Sequence, residues 1–427
     1  MRTLVLALVA SSLAAPVAGQ TQSVAPASSS QQSSALTVLV AELEQRNPAL
    51  GAAQRDVDMR VARIAPAGAP PDPTVTVGYM SEFLRPPFFP SSSAANAWRQ
   101  IGITQELPYP GKLGLRSKVA GSEADASRWS YEDTRVRLIS DLKIVYIEYV
   151  LVNQTLDIVQ RNRSAMENFR SIAEARFAVG KASQQDVLRA QLELSILLER
   201  IASLERDRTS LQADINRLVY QPQSTPVPVS EPVEVGAVPG DVGVLQQLAA
   251  HHNPAVKRDE QLINRGQQAL TLARKEQLPD FGISFTTQKY VGDMPWMYGL
   301  DFMVKVPIFF QRKQRPMVAE AAASLAGATL MRDSTLSDAD AQVTQEHAAL
   351  TTARRLMALY GDSVLPQARL TLESATAAYE VGNVDFLTLI TNFITVRDYE
   401  ISYQEQQARY REALARLEPL LGMEFIK

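Results

Sequence analysis

Arg176-Phe177-Ala178-Val179-Gly180 closes a long amphipathic helical pattern, and a new one opens a few residues later at Asp186-Val187-Leu188. Near the C-terminus the device returns as Ala378-Tyr379-Glu380-Val381-Gly382, followed by Leu387-Thr388-Leu389. Glycine accepts the left-handed backbone that ends a helix. Each site therefore reads as the tip of a helical hairpin, and the chain as an internal two-fold repeat of one half.

Working outward, the two halves open alike. Leu36, Leu39, Val40 and Leu43 have helical spacing up to a break at Asn47-Pro48-Ala49-Leu50, and the helix resumes to Ile64. Leu245, Leu248 and Ala249 repeat this before Asn253-Pro254-Ala255-Val256, with a helix to about Gln277. Pro71-Asp72 and Pro279-Asp280 then mark a change of period from 3.6 to 2. Phe281, Ile283, Phe285 and Thr287 alternate with small or polar residues. Tyr298, Leu300, Phe302, Val304 and Val306 do so against Gly299, Asp301, Met303 and Lys305, as expected of a strand between lipid and a water-filled lumen. The first half is parallel, with Val75, Val77 and Tyr79, then Ile101 and Ile103. One such hairpin alone reads better as packed on a soluble core; two of them behind a secretory leader favour the membrane.

Both second strands end at proline, in Leu107-Pro108-Tyr109-Pro110-Gly111-Lys112 and Val306-Pro307-Ile308-Phe309, which stops a ladder. No proline follows from Lys112 to Val179, and only Pro366 falls between Met317 and Val381. A helix of that first span measures roughly 100 Å, far more than a globular core needs. After the tips, Leu197, Ile201, Leu204, Arg208, Leu211, Ile215 and Leu218 keep a 4-3 spacing, as do Tyr403, Gln407, Tyr410, Leu414, Leu417 and Leu421. That spacing predicts coiled-coil packing. Each returning helix is about half as long as the one before it, and the opening helices of each half, stacked end to end with it, supply the rest.

The expected organisation is a signal peptide over 1–19, with Arg2, the apolar run from Leu4 and small residues at Val17-Ala18-Gly19. A flexible Ser/Gln-rich stretch follows over 20–35. The first repeat covers 36–220, with a β-hairpin at 74–107 and a tip near 180–184. A Pro-rich linker covers 221–242, and the second repeat 243–427 has its β-hairpin at 281–308 and its tip near 382–386. The class is mostly α with a β-barrel portion: a long helical-hairpin coiled coil plus four transmembrane β-strands. Four strands cannot close, and open edges are not tolerated in lipid, so copies must assemble. Two copies would give eight strands, filled by side chains; three give twelve and room for a lumen.

A net charge of -3 gives no polyanion-binding signature, which makes nucleic acid an unexpected partner. Cysteine is absent, so there is no disulfide, thiolate metal site or lipidated Cys. His251 and His252 are adjacent and cannot both face one ion from a helix. The third histidine, His347, stands apart. Met294 and Met297 in a surface loop suit soft metals, and also suit loop packing. No nucleophile, P-loop, dinucleotide or zinc-protease motif occurs, so neither an enzyme nor a cofactor is expected.

The doubled Asn-Pro-Ala openings, strand hairpins, Pro-Tyr-Pro-Gly-Lys exit and Val-Gly tips together resemble the outer membrane efflux protein family, the TolC-like channel-tunnels. The resemblance implies a homotrimer with a twelve-stranded barrel in outer-membrane lipid and an α-helical barrel across the periplasm. It implies partners: an inner-membrane pump, of RND type, and a periplasmic adaptor whose hairpins dock at Val179, Gly180, Val381 and Gly382. The exit is more similar to the heavy-metal-efflux branch than to drug-efflux members. Many relatives follow the tip with Asp-Ala-Gln, whose Asp narrows the pore; here Arg189-Ala190-Gln191 and Thr391-Asn392-Phe393 stand instead. The candidate gate set is accordingly Asp186, Arg189, Asp385, Leu387 and Thr391, although an Asp beside a helix start also serves as a cap. Two other readings stay open: the duct of a type I protein secretion system, and a periplasmic coiled-coil scaffold without a pore.

Overall fold

The computed structural model describes residues 35–80, 97–229, 240–290 and 293–426. The leader, the Ser/Gln tract up to residue 34, most of the loop from Leu84 to Ala97 and the centre of the Pro-rich linker lie outside these. Helices α1 (Ala35–Arg46), α2 (Pro48–Ala62) and α3 (Ile64–Gly68) lead into strands β1 (Thr74–Met80) and β2 (Trp98–Leu107). Then come α4 (Lys112–Ala178) and α5 (Gln184–Leu218). The order recurs as α6 (Val242–His252), α7 (Pro254–Lys275), β3 (Asp280–Tyr290), β4 (Met297–Lys305), α8 (Gln314–Leu359), α9 (Leu365–Glu380) and α10 (Phe386–Leu421).

The Asn-Pro breaks are helix caps. Asn47 Oδ1 accepts from the Ala49 N–H at 2.8 Å, and Asn253 Oδ1 from the Ala255 N–H at 2.8 Å, while the proline takes a first-turn position where no N–H is needed. Asn47 does more: its Nδ2 donates to Leu218 O at 2.8 Å, which joins the last turn of α5 to the start of α2. At the matching joint Gly422, after α10, lies against His252 of α6. Short helices thus stack end to end beside the long ones, and the 67-residue α4 runs roughly 100 Å without a break. Its counterpart is interrupted, as Pro366 predicts: a π-turn at Tyr360–Val364 separates α8 from α9 and absorbs the missing donor.

Two cores follow one another along the helices. One joins Leu39, Leu43, Leu142, Tyr146, Ile215, Leu218, Leu245, Leu350, Leu414 and Leu421. The other, toward the tips, joins Leu156, Met166, Leu197, Tyr379, Phe386, Leu389 and Phe393. The heptad positions Leu197, Leu204, Ile215 and Leu218 of α5 and Leu414, Leu417 and Leu421 of α10 are buried. The prolines of the linker spell an extended segment. Over 221–229 it is fastened to the shaft: Asn216 Nδ2 donates to Thr225 O at 2.9 Å, Tyr149 OH to Val227 O at 3.2 Å, and Val227 is buried.

The four strands form one antiparallel sheet in the order β1-β2-β3-β4. Registered rows such as Val75–Ile103–Phe285–Leu300 place the apolar residues on one face. The chain's own helices leave that face open, with Val77 78%, Phe302 75% and Leu300 61% exposed. The opposite face is polar, with Thr104 Oγ1 and Ser284 Oγ 3.0 Å apart and Asp301 beside Ser284.

Where α4, α8 and α10 meet, burial pushes the carboxyls of Glu148 and Glu346 above the ordinary 4.5, and the neighbouring Glu412 adds to it. A carboxyl raised in the folded state is easier to ionise unfolded, so these groups reduce stability as pH rises from about 4.5 through their folded values. E148Q and E346Q are therefore expected to raise the thermal midpoint at pH 7 and to flatten its fall from acidic pH, read by circular dichroism. A lower midpoint in both variants would count against this.

Candidate functional site

The tips are built the same way twice. Gly180 and Gly382 hold φ of +71° and +84°. At the first, the Gly180 N–H donates to Phe177 O at 2.9 Å and the Lys181 N–H to Arg176 O at 2.8 Å. At the second, the Gly382 N–H donates to Tyr379 O at 3.0 Å and the Asn383 N–H to Ala378 O at 2.9 Å. This paired closure consumes the last carbonyls of each helix and requires the left-handed residue. It also pushes Val179 and Val381 into the open, 68% and 72% exposed.

The returning helices begin with caps, and the caps are the acidic residues of the candidate gate. Ser183 and Asp186 form a reciprocal capping box, Oγ accepting from the Asp186 N–H at 3.3 Å and the carboxylate from the Ser183 N–H at 3.2 Å. Asp385 caps α10 by accepting from the Thr388 N–H at 3.0 Å, and hydrogen bonding to the Thr388 side chain, then to its N–H, holds the carboxyl below the usual range. Arg189, Leu387 and Thr391 are exposed, and Thr391 Oγ1 donates back to Leu387 O at 2.8 Å. Apart from that bond within one helix, no hydrogen bond or ion pair links the five candidate gate residues among the described residues.

What joins the two hairpins was not visible in their motifs. The Arg176 guanidinium lies 4.6 Å from the centre of the Tyr379 ring and donates to Tyr379 O. Deeper, Arg397 of α10 reaches Glu193 of α5 at 2.9 Å, the carboxylate being buried, and Phe169 meets Phe393 edge-on at 5.3 Å. Burial pushes the Tyr379 hydroxyl above its ordinary pKa. In the sequence Arg176 reads as part of a helix end, and the only signal for its role is that an arginine precedes one tip and an aromatic the other.

At the sheet end, Lys112 is 1% exposed. Its Nζ donates to Asp280 Oδ1 at 2.8 Å and Leu278 O at 3.0 Å, and Glu276 lies at 3.2 Å. The Pro-Asp that opens β3 and the Pro-Tyr-Pro-Gly-Lys that leaves β2, read separately as strand punctuation, are thus each other's partners. No group of three His, Asp or Glu is placed to hold a metal among the described residues. His251 and His252 end α6, and Met294 and Met297 are exposed.

An open apolar sheet face at one end of paired helices, with glycine tips at the other, is a fold shared with solved outer-membrane proteins. The same fold is found in the outer membrane protein VceC from Vibrio cholerae, with 16% identity, 91% of this chain and 96% of that chain covered, and a TM-score of 0.78. CusC matches at 14% identity over 91% and 92%, TM-score 0.79. The open-state outer membrane channel MtrE of Neisseria gonorrhoeae matches at 16% over 91% and 88%, TM-score 0.76. No curated protein matches the sequence. Residues 39–219 match the family described as outer membrane efflux protein.

Proposed function

We propose that three copies close a twelve-stranded barrel from their four-stranded sheets and form the exit duct of a tripartite efflux system. The observation that carries this is the sheet itself, whose apolar face is open and whose outer strands β1 and β4 each lack a neighbour on one side among the described residues. Lipid covers such a face, and only closure with other copies satisfies such edges. The doubled element order then makes each chain two pseudo-equivalent sectors of the ring.

Substrate arrives from an inner-membrane pump of RND type through a periplasmic adaptor. The adaptor's helices seat on Val179-Gly180 and Val381-Gly382, where both tips offer an exposed valine on a rigidly closed turn. Asp186, Arg189, Asp385, Leu387 and Thr391 line the periplasmic entrance. The two Asp caps keep the helix starts fixed while the hairpins shift against each other, breaking the Arg176–Tyr379 contact. The work comes from the pump, and this chain supplies the conduit.

The test has two arms. In planar bilayers the purified protein should insert and remain nearly closed, and substitutions at Thr391 or Asp385 should raise its conductance; protein that never inserts sinks the reading. The double variant G180L/G382L should still reach the outer membrane as a trimer but abolish efflux. Each substitution strains one local turn by about 1–2 kcal/mol, too little to unfold the shaft. Full efflux in that variant would reject the tips as the docking site.

A further inference from the structure

Both strand pairs run through a proline turn into a long helix, yet the two exits are finished differently. At the first, the Lys112–Asp280–Glu276 cluster is joined by Arg116, 3.0 Å from Glu276, and Asp280 also accepts from the Tyr109 N–H at 2.8 Å. This ties the exit of β2 to the start of its sheet neighbour β3. At the second exit Arg312, Lys313 and Arg315 are exposed, and none forms an ion pair among the described residues. The strand that should stand to β4 as β3 stands to β2 is β1, and within one chain these occupy opposite edges of the sheet. Pro71-Asp72 precedes β1 as Pro279-Asp280 precedes β3, and Asp72 too is exposed without an ion pair among the described residues.

We propose that Asp72 of one copy pairs with the Arg312-Lys313-Arg315 cluster of the next, so that each seam between subunits is pinned where strand turns into helix. The proposal rests on the closed-barrel reading above and adds to it the partner of each charge. Three observations converge on a second copy as occupant. The charges are complementary and unpaired; they sit at matching ends of the two edge strands; and the equivalent pair within the chain is already made by Lys112 and Asp280. The apolar part of the exit fits as well. Ile308 and Phe309 are 71% and 70% exposed where, at the first exit, Tyr109 stacks on Phe281 with ring centres 6.4 Å apart. The seam need not be as strong as the buried pair, because nothing equivalent to Glu276 precedes Asp72: Gly68 stands at the matching position.

A cysteine-free chain makes the test direct. Treated with a short bis-maleimide in isolated outer membranes, D72C/K313C should give covalent dimers and trimers on denaturing gels, and neither single variant should. In a second measurement, D72K and R312E/K313E should each speed dissociation of the native oligomer in detergent about tenfold. The combined charge swap D72K/R312E/K313E should bring the rate back to within about twofold of wild type. Absence of the cross-linked ladder, or losses that simply add in the combined variant, overturns the pairing. So does loss of stability in R312E/K313E with none in D72K, the pattern expected if the cations instead hold anionic lipid headgroups. Wild type that yields no oligomer at all would reject the barrel; a wild-type oligomer without the ladder rejects the seam pair alone.

Discussion

The Leu300→Arg variant is expected to disappear from the outer membrane, while Asp301→Asn, one residue on, accumulates normally. Leu300 lies midway along β4 in the row Val75–Ile103–Phe285–Leu300, 61% exposed on the face assigned to lipid. An arginine at the bilayer midplane costs about 2–4 kcal/mol. A ring of three copies would carry that cost three times, roughly 6–12 kcal/mol, which matches or exceeds the whole stability of many proteins. Asp301 points to the polar face next to Ser284, where losing a charge leaves the lipid contact unchanged. Membrane fractionation with a heat-modifiable oligomer band reads both variants. Equal accumulation of Leu300→Arg and wild type would show that the apolar face does not meet lipid.

Lys143→Met should cost about 3–5 kcal/mol, as breaking one side of a buried ion pair generally does. Lys143 and Glu418 are almost wholly buried, with Nζ 2.6 Å from Glu418 Oε2 and 2.8 Å from Ile426 O. Glu418 Oε1 accepts the Phe425 and Ile426 N–H groups at 2.7 and 2.8 Å. One charged pair therefore holds α4, α10 and the segment after it together beside the larger core. Removing only the cation strands a carboxylate, so K143M/E418L should recover much of the loss. Thermal unfolding with limited proteolysis after α10 measures it, and a single variant within about 0.5 kcal/mol of wild type would mean that the pair contributes nothing.

The helical plan was readable because it is written in local chemistry. Gly180 and Gly382 announce left-handed closures, Asn47 and Asn253 announce caps, and Pro366 announces the break that became a π-turn. The alternation of β4 likewise foretold which residues share a face. What stayed hidden was long-range. Nothing local marks Lys112 as the partner of Asp280, 168 positions on, or Arg397 as the partner of Glu193. Such charges look like ordinary surface residues until packing removes the water around them. The fastening of residues 221–229 was hidden for the same reason: the prolines spell an extended segment, and the hydrogen bonds of Gln212, Asn216, Tyr146 and Tyr149 on the neighbouring helices show where it lies.

The unpaired strands β1 and β4 have one more consequence, for biogenesis. On the proposed closed-barrel reading, a lone subunit carries two ladders of unused N–H and C=O groups beside an oily surface, so before it meets its siblings it is poised to stick to any extended peptide nearby. Productive maturation is then a higher-order reaction in subunit concentration that competes with first-order loss to proteases and holdase chaperones. Halving the synthesis rate should therefore cut the yield of finished pores by more than half.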